Sequence, residues 1–328
     1  MVDLVSLGEM MLRLSPPKYQ RLRRTTSLDV YPAGAQFNIA ANLASLGKRT
    51  AFLTKLPANE LGLLAQSLAA SYGIDTSHVR FVDDAKMGLV FVEFSVSPRR
   101  HLHLYDRAGS AASTLTKDDF PWSEILSQTR LAYVDGIVPA LNPGCREATL
   151  AFVDAAKAAG CTVCFDVNYR RTLWEAGEAR SVYQEILRSV DILVTGRTVS
   201  EDLFGYTGSD DDLLRAYHQA FGCQIVCLTY REMHGLLRGG WRSVALHEGQ
   251  VTQGRPFEFD VVDRFGSGDA FFAGFLYAYL EEGSIQQALD FGNALCALAH
   301  TVDADPAIFS PEEVQALLDD DYSLTTKR

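Results

Sequence analysis

Residues Asp263-Arg264-Phe265-Gly266-Ser267-Gly268-Asp269 carry the densest concentration of chemistry in the chain. The run before them, Phe257 to Val262, reads as a strand, and Ala270 to Leu280 reads as an apolar helix with Ala273 and Gly274 small on one side. Two glycines one residue apart therefore sit at a strand-to-helix turn. Free backbone N–H groups there, with the positive end of the helix dipole, make a site for developing negative charge. Asp269 is the first acid inside that turn. Its carboxylate is stabilised by the dipole, and beside a phosphate it can take the proton of an attacking hydroxyl. A plain helix entry, with glycine for the turn and aspartate as the cap, accounts for the same letters.

Three further stretches could face the same ligand. Gly34-Ala35-Gln36-Phe37-Asn38 opens a helix that runs through Ile39 to Leu46 and stops at Gly47, which leaves Asn38 in the first turn, facing whatever the Gly34 turn faces. Asp166-Val167-Asn168-Tyr169-Arg170 follows a strand, and in open parallel sheets ligands bind at the carboxyl ends of strands. If that strand stays extended, Asp166, Asn168 and Arg170 share a side. Tyr105 and Arg107 also share a face of an extended run. Each has a bland alternative: a helix cap, a strand turning polar as it meets water, an edge charge that discourages aggregation.

The elements that must position these residues follow a regular order. Strands are expected at Leu4–Leu7, Met10–Leu14, Ala51–Leu56, Leu131–Val134, Thr162–Val167, Ile192–Val194 and Ile225–Thr229. Helices are expected at Leu61–Tyr72, Pro143–Ala159, Ala179–Arg188, Asp211–Phe221, Ile285–Ala299 and Pro311–Leu318. Alternating strand and helix means right-handed βαβ units and a mostly parallel sheet covered on both faces. Met87–Val96 and Arg100–Arg107, joined by Ser97-Pro98-Arg99, read as a hairpin or lid, residues 18–33 as irregular, and Leu324–Arg328 as loose.

The chain has 328 residues, enough for a large α/β core, and its net charge of −11 with pI near 5.1 argues against nucleic acid as a partner. No apolar run is long enough for a membrane span and none reads as a signal peptide. The six cysteines read as buried free thiols of a cytoplasmic protein, with Cys161 and Cys164 on opposite faces of a strand rather than around zinc. A dinucleotide fingerprint fails because position 271 is Phe, and no Gly-x-x-x-x-Gly-Lys occurs.

Taken in order, Gly34 to Gly47, Asp166 to Arg170 and Asp263 to Phe271 resemble the three signatures of the ribokinase-like (pfkB) carbohydrate kinases over nearly the whole chain. Within that family the chain looks most like the 2-keto-3-deoxygluconate kinases, on Gly8-Glu9, Leu14-Ser15-Pro16-Pro17, Tyr105 to Ala111 and Asp166 to Trp174. The resemblance implies one ribokinase-like domain over 1–328, a three-layer α/β/α sandwich with a small β-sheet lid from about 10–33 and 88–108. It implies transfer of the γ-phosphate of ATP to a sugar-acid hydroxyl. Asp269 would be the base and Gly266, Ser267 and Gly268 the anion hole. Gly34, Asn38, Tyr105, Arg107, Arg170 and Asp269 would hold the sugar acid, and Thr229, Arg231, Gly266, Gly268 and Asn293 the nucleotide. A carboxylate substrate wants planar guanidinium partners, which neutral sugars do not need. Magnesium would arrive with the nucleotide and be held by no protein site, with Asp263 and Asp269 nearest its water shell. Copies of the chain would pair through the lid.

Departures from the pattern leave other readings open. Gly196-Arg197-Thr198-Val199 stands where relatives carry Asn-x-x-Glu, Val90 stands where the subgroup has a lid tyrosine, and Asp106 replaces a second aromatic. A kinase for fructose or 2-keto-3-deoxygalactonate, and a non-catalytic sugar- or nucleotide-binding relative, are the alternatives.

Overall fold

A computed structural model describes residues 1–303 and 305–319, so the expectation for Leu324–Arg328 lies outside the described residues. In chain order the strands are β1 (Val2–Leu7), β2 (Met11–Ser15), β3 (Asp29–Ala33), β4 (Thr50–Leu53), β5 (Lys55–Pro57), β6 (Arg80–Val82), β7 (Gly88–Glu93), β8 (Leu102–Asp106), β9 (Thr129–Asp135), β10 (Thr162–Asp166), β11 (Ile192–Gly196), β12 (Ile225–Met233), β13 (Arg238–His247), β14 (Gln250–Gln253) and β15 (Phe257–Asp260).

The main sheet has the order β14-β13-β12-β11-β10-β9-β1-β4, with β15 also on β13. From β12 to β4 every pairing is parallel, while β13 runs against β12, β14 and β15. Parallel strands buried on both faces should be apolar at successive positions, and they are. Leu131 and Tyr133 of β9 pack into one core while Ala132 and Val134 pack into the other. Helices Ala35–Ser45, Ser267–Leu280 and Ile285–Ala299 cover the first face; Pro143–Ala158, Ala176–Leu187 and Asp210–Phe221 cover the second. This is the expected α/β/α sandwich. All six cysteines are buried free thiols, and Cys161 and Cys164 do fall in opposite cores.

A second sheet, β3-β2-β7-β8, is built from the segments expected to form a lid. Here the structure corrects the sequence reading. Residues 29–33, expected to be irregular, pair antiparallel with β2. The single strand expected over Ala51–Leu56 breaks at Thr54, because β4 belongs to the main sheet whereas β5 pairs with β6. A further hairpin, β13–β14, turns through Glu248 and Gly249, both at positive φ, which is the backbone a two-residue hairpin demands.

The parallel strands end together. Asp135 of β9 lies in register with Asp166 of β10, and Gly196 of β11 with Thr229 of β12. Chain order reverses about β1, which has β4 on one side and β9 on the other, so the carboxyl edge carries the crevice where such sheets bind ligands.

Candidate active site

Helix Ser267–Leu280 begins three residues earlier than the apolar pattern suggests, with Gly266 as its cap at φ 69°. A side chain at Gly266 would also lie 2.0 Å from the carbonyl oxygen of Asp305, so both backbone angle and space demand glycine. Asp269 is then the acid of the first helical turn. Gly34 is similarly fixed: it caps helix Ala35–Ser45 at φ 140°, with the Glu9 carbonyl where a side chain would stand. The two helices bring Asn38 to Asp269, and the Asn38 Nδ2 donates to the Asp269 carboxylate at 2.7 Å. The buried Asn38 Oδ1 has no protein partner.

Two adjoining cavities meet at Asp269. The first, about 370 Å³, is lined by Gly34, Asn38, Tyr105, Arg107, Arg170 and Asp269 among others. These are the six residues assigned to the sugar acid from sequence, and the structure brings them together. Met11, Ala33 and Val90 of the small sheet form its roof. The second, about 430 Å³, is lined by Arg231, Gly266, Gly268 and Asp269, together with Asp166, Asn168 and Arg170. Asp166, Asn168 and Arg170 do converge, but not through an extended strand. β10 stops at Asp166, and Asn168 turns the chain at φ 37° while its N–H donates to Asp166 at 3.0 Å.

Two residues assigned to the nucleotide, Asn293 and Thr229, line neither cavity. Asn293 is fully buried, its Oδ1 accepting from Ser243 at 2.7 Å and its Nδ2 donating to the Arg255 carbonyl at 2.8 Å. That amide ties its helix to β13 and lines neither cavity. Thr229 lies inside β12 and donates to the Thr195 carbonyl at 3.4 Å, also outside both cavities. The Ser267 hydroxyl is fully buried, accepts from Arg231 Nη2 at 2.7 Å and donates to the Arg264 carbonyl, so it braces the turn.

Other residues enter that the spacing did not mark. Glu9, almost fully buried, accepts from Ser110 at 2.6 Å and pairs with Arg107, so one Arg107 amine is already neutralised. Asp135, fully buried, accepts from Gln36, from the Ile137 N–H at 2.9 Å and from Asn168 at 2.7 Å. An Asp-Gly at a strand's carboxyl end was the signal that could have found it. Asp263 is not near solvent, as a metal's water shell would require: it is buried against Arg13 at 2.6 Å and accepts the Phe265 N–H.

Crowding sets the acids' proton affinities. Desolvation raises the Asp269 pKa to about 7, Asp166, Asp135 and Asp305 push the same way, and the Asn38 hydrogen bond opposes them. Desolvation, then Asp135, takes Asp166 to about 7. Desolvation raises Asp305 to about 6 against the pull of Arg13. A carboxylate poised near neutrality beside a helix N-terminus has the affinity and position of a general base.

A family model described as "pfkB family carbohydrate kinase" matches residues 1–305. The chain belongs to the pfkB family of carbohydrate kinases. It is 34% identical over 316 residues to a 2-dehydro-3-deoxygalactonokinase of Haloferax volcanii, covering 96% of each chain. It is 29% identical over 324 residues to a 5-dehydro-2-deoxygluconokinase of Shouchella clausii, covering 98% of this chain and 96% of that one. The crystal structure of a 2-dehydro-3-deoxygluconokinase from Thermotoga maritima superposes with a TM-score of 0.93 at 31% identity, over 97% of this chain and 98% of that one. As a family member the protein is a carbohydrate kinase with the ribokinase-like fold. Among the described residues no helix is long and apolar enough to cross a membrane, and no cluster of three or more His, Cys, Asp or Glu could hold a metal ion.

Proposed function

We propose that this kinase transfers the γ-phosphate of ATP to 2-keto-3-deoxygluconate, giving the 6-phosphate. The observation that carries this reading is the placement of Asp269 between two cavities, one presenting Arg107 and Arg170 and the other presenting Arg231 and the helix N-terminus. A sugar acid has its carboxylate at one end and its reacting hydroxyl at the other, and the first cavity is polar at both ends in that sense.

The hydroxyl oxygen attacks the γ-phosphorus while the bond to the β,γ-bridging oxygen breaks. ADP leaves with that electron pair, and the hydroxyl proton passes to Asp269. The backbone N–H groups of Gly266 to Gly268 meet the charge on the transferred group, the main source of stabilisation in phosphoryl transfer. Asn38 holds the base through Nδ2 and offers its unpartnered Oδ1 to a second hydroxyl. Magnesium supplies charge neutralisation of the phosphates when it comes with ATP. The acids fit a phosphate-borne ion and not a protein-held one, since Asp263 is ion-paired to Arg13 and position 199 is valine.

The 34% identity to a 2-dehydro-3-deoxygalactonokinase favours a second reading, the substrate's epimer at C4. The test is ADP release with 2-keto-3-deoxygluconate, 2-keto-3-deoxygalactonate, fructose and ribose. A kcat/KM at least tenfold higher on the first than on every other is expected. A higher value on the galactonate acid selects the second reading, and a neutral sugar as best substrate, or no turnover, rejects both.

Two copies would associate along β8, an edge strand with Leu102 and Leu104 more than two-fifths exposed. Its unpaired backbone and apolar side chains suit a second small sheet.

A further inference from the structure

The cavity beside the anion hole is ringed by three arginines, Arg170, Arg231 and Arg264, and by His103. The chain has 41 acidic residues against 30 basic ones. Arginines elsewhere in the chain are ion-paired, Arg13 with Asp263 and Asp305, Arg107 with Glu9 and Arg197 with Asp210. Among the described residues none of the three at this cavity reaches a carboxylate within ion-pair distance. Arg170 touches only the carbonyls of Asn168 and Tyr169, at 3.4 Å, and Arg231 only the Ser267 hydroxyl and the face of Trp241. Arg264 makes no side-chain hydrogen bond to a described residue. The acids lining the same cavity are Asp166 and Asp269, whose pKa values desolvation raises to about 7, so three guanidinium groups without an ion-pair partner outnumber them, an arrangement that a polyanion relieves.

Arg264 stands out because of its position. It lies two residues before the helix cap Gly266, and its carbonyl is fixed by the Ser267 hydroxyl at 3.0 Å. It is therefore anchored to the same turn as the anion hole and to Asp269 beyond it. His103 contributes no competing charge at neutral pH, since burial and then Arg264 press its pKa down to about 4. The cations of this cavity are therefore the guanidinium groups.

We propose that Arg264 is a catalytic residue that grips the non-bridging oxygens of the phosphoryl group in transfer, with Arg231 holding the neighbouring phosphate oxygens. This rests on the reading of the protein as an ATP-dependent kinase and adds a residue to its machinery. As the γ-phosphorus changes partners from ADP oxygen to sugar oxygen, the planar fork of Arg264 stays with the three equatorial oxygens. A guanidinium in that place contributes most when charge is spread over those oxygens, so its effect falls chiefly on kcat.

The experiment compares wild type, R264A, R264Q and R264K by steady-state turnover with 2-keto-3-deoxygluconate and by calorimetry with ATP, ADP and AMP. R264A and R264Q should lose at least about 100-fold in kcat with KM for the sugar acid changed less than about threefold, and R264K should recover part of the loss. ATP affinity should fall about tenfold in R264A and AMP affinity should not change, since AMP lacks the gripped phosphates. R264A or R264Q within threefold of wild type in kcat and in ATP affinity overturns the proposal. If R264A does not fold, R264Q and R264K decide alone: equal turnover in both removes the need for a charge. If wild type phosphorylates no sugar acid, the kinase reading of this cavity fails separately. The ATP-against-AMP difference then still reports whether Arg264 meets terminal phosphates.

Discussion

Arg13 of β2 and Asp263, the first residue of the turn that leads into Asp269, meet at 2.6 Å with both side chains essentially removed from solvent. The same guanidinium reaches Asp305 at 2.6 Å and lies 5.0–5.2 Å from the rings of Tyr31, Phe94 and Phe265. One buried cation thus joins the small sheet, the turn and the segment whose carbonyl packs on Gly266. Replacing Arg13 by Met strands two carboxylates in the interior, and breaking a buried pair this way costs about 3–5 kcal/mol. R13M should lower the denaturant midpoint strongly, and the further change D263N should restore part of the loss. An R13M midpoint equal to wild type would refute this role.

Replacing Asp269 should move activity and stability in opposite directions. D269N should lower kcat by at least about 100-fold, the usual loss on deleting a general base, while ATP binding measured by calorimetry persists because the anion hole is backbone. Desolvation raises the Asp269 pKa in the folded protein from 3.8 to about 7. The folded state therefore holds this proton more tightly, and the resulting stability is present below about pH 4 and lost as pH rises towards 7. D269N should accordingly melt above wild type at pH 8, with the difference closing near pH 4.

The acidic limb of kcat/KM should rise with an apparent pKa near 7. Asp269 and Asp166 are both raised to about 7 by desolvation first, Asp269 then by Asp166 and Asp135, and Asp166 by Asp135. Coupled carboxylates titrate as a group, so the limb belongs to the cluster. D166N removes one repelling charge and should shift the limb to lower pH. An unshifted limb would mean that Asp166 does not act on the base.

Arg107 and Arg170 should not be equivalent. Arg107 is paired to Glu9, whereas Arg170 has no carboxylate partner among the described residues. A charge-assisted hydrogen bond contributes about 1.5–3 kcal/mol, so R170A should raise KM for the sugar acid by about tenfold or more. R107A should raise it less. E9Q frees the Arg107 charge and should lower KM, and a rise instead would show that Glu9 is needed to orient Arg107.

Turnover should require magnesium, yet calorimetry on the nucleotide-free protein should show no tight magnesium site, because the described residues gather no cluster of ligating side chains. Tight binding without nucleotide would reveal a metal site in the protein itself.

Much of the architecture was legible in the sequence because it depends on local rules. The strand and helix periods, the glycine turn at Gly266 and the first-turn position of Asp269 follow from backbone sterics and from which faces must be apolar. The six residues that the resemblance assigned to the sugar acid line one cavity, because the motifs that carry them sit at fixed positions along this fold. What the sequence could not decide was which side chains meet across the chain and which are consumed by a neighbour. Asn38 reaches Asp269 across 231 residues, Arg13 reaches Asp305 across 292, and Arg107 is claimed by Glu9 across 98. Asn293 is spent on Ser243 and the Arg255 carbonyl inside the core, and Asp263 on Arg13. Charge and proton affinity depend on distance and desolvation, and both are set only when separate elements pack. The letters therefore place Asp269 in the first turn of its helix, but its pKa and its partners come from the tertiary structure.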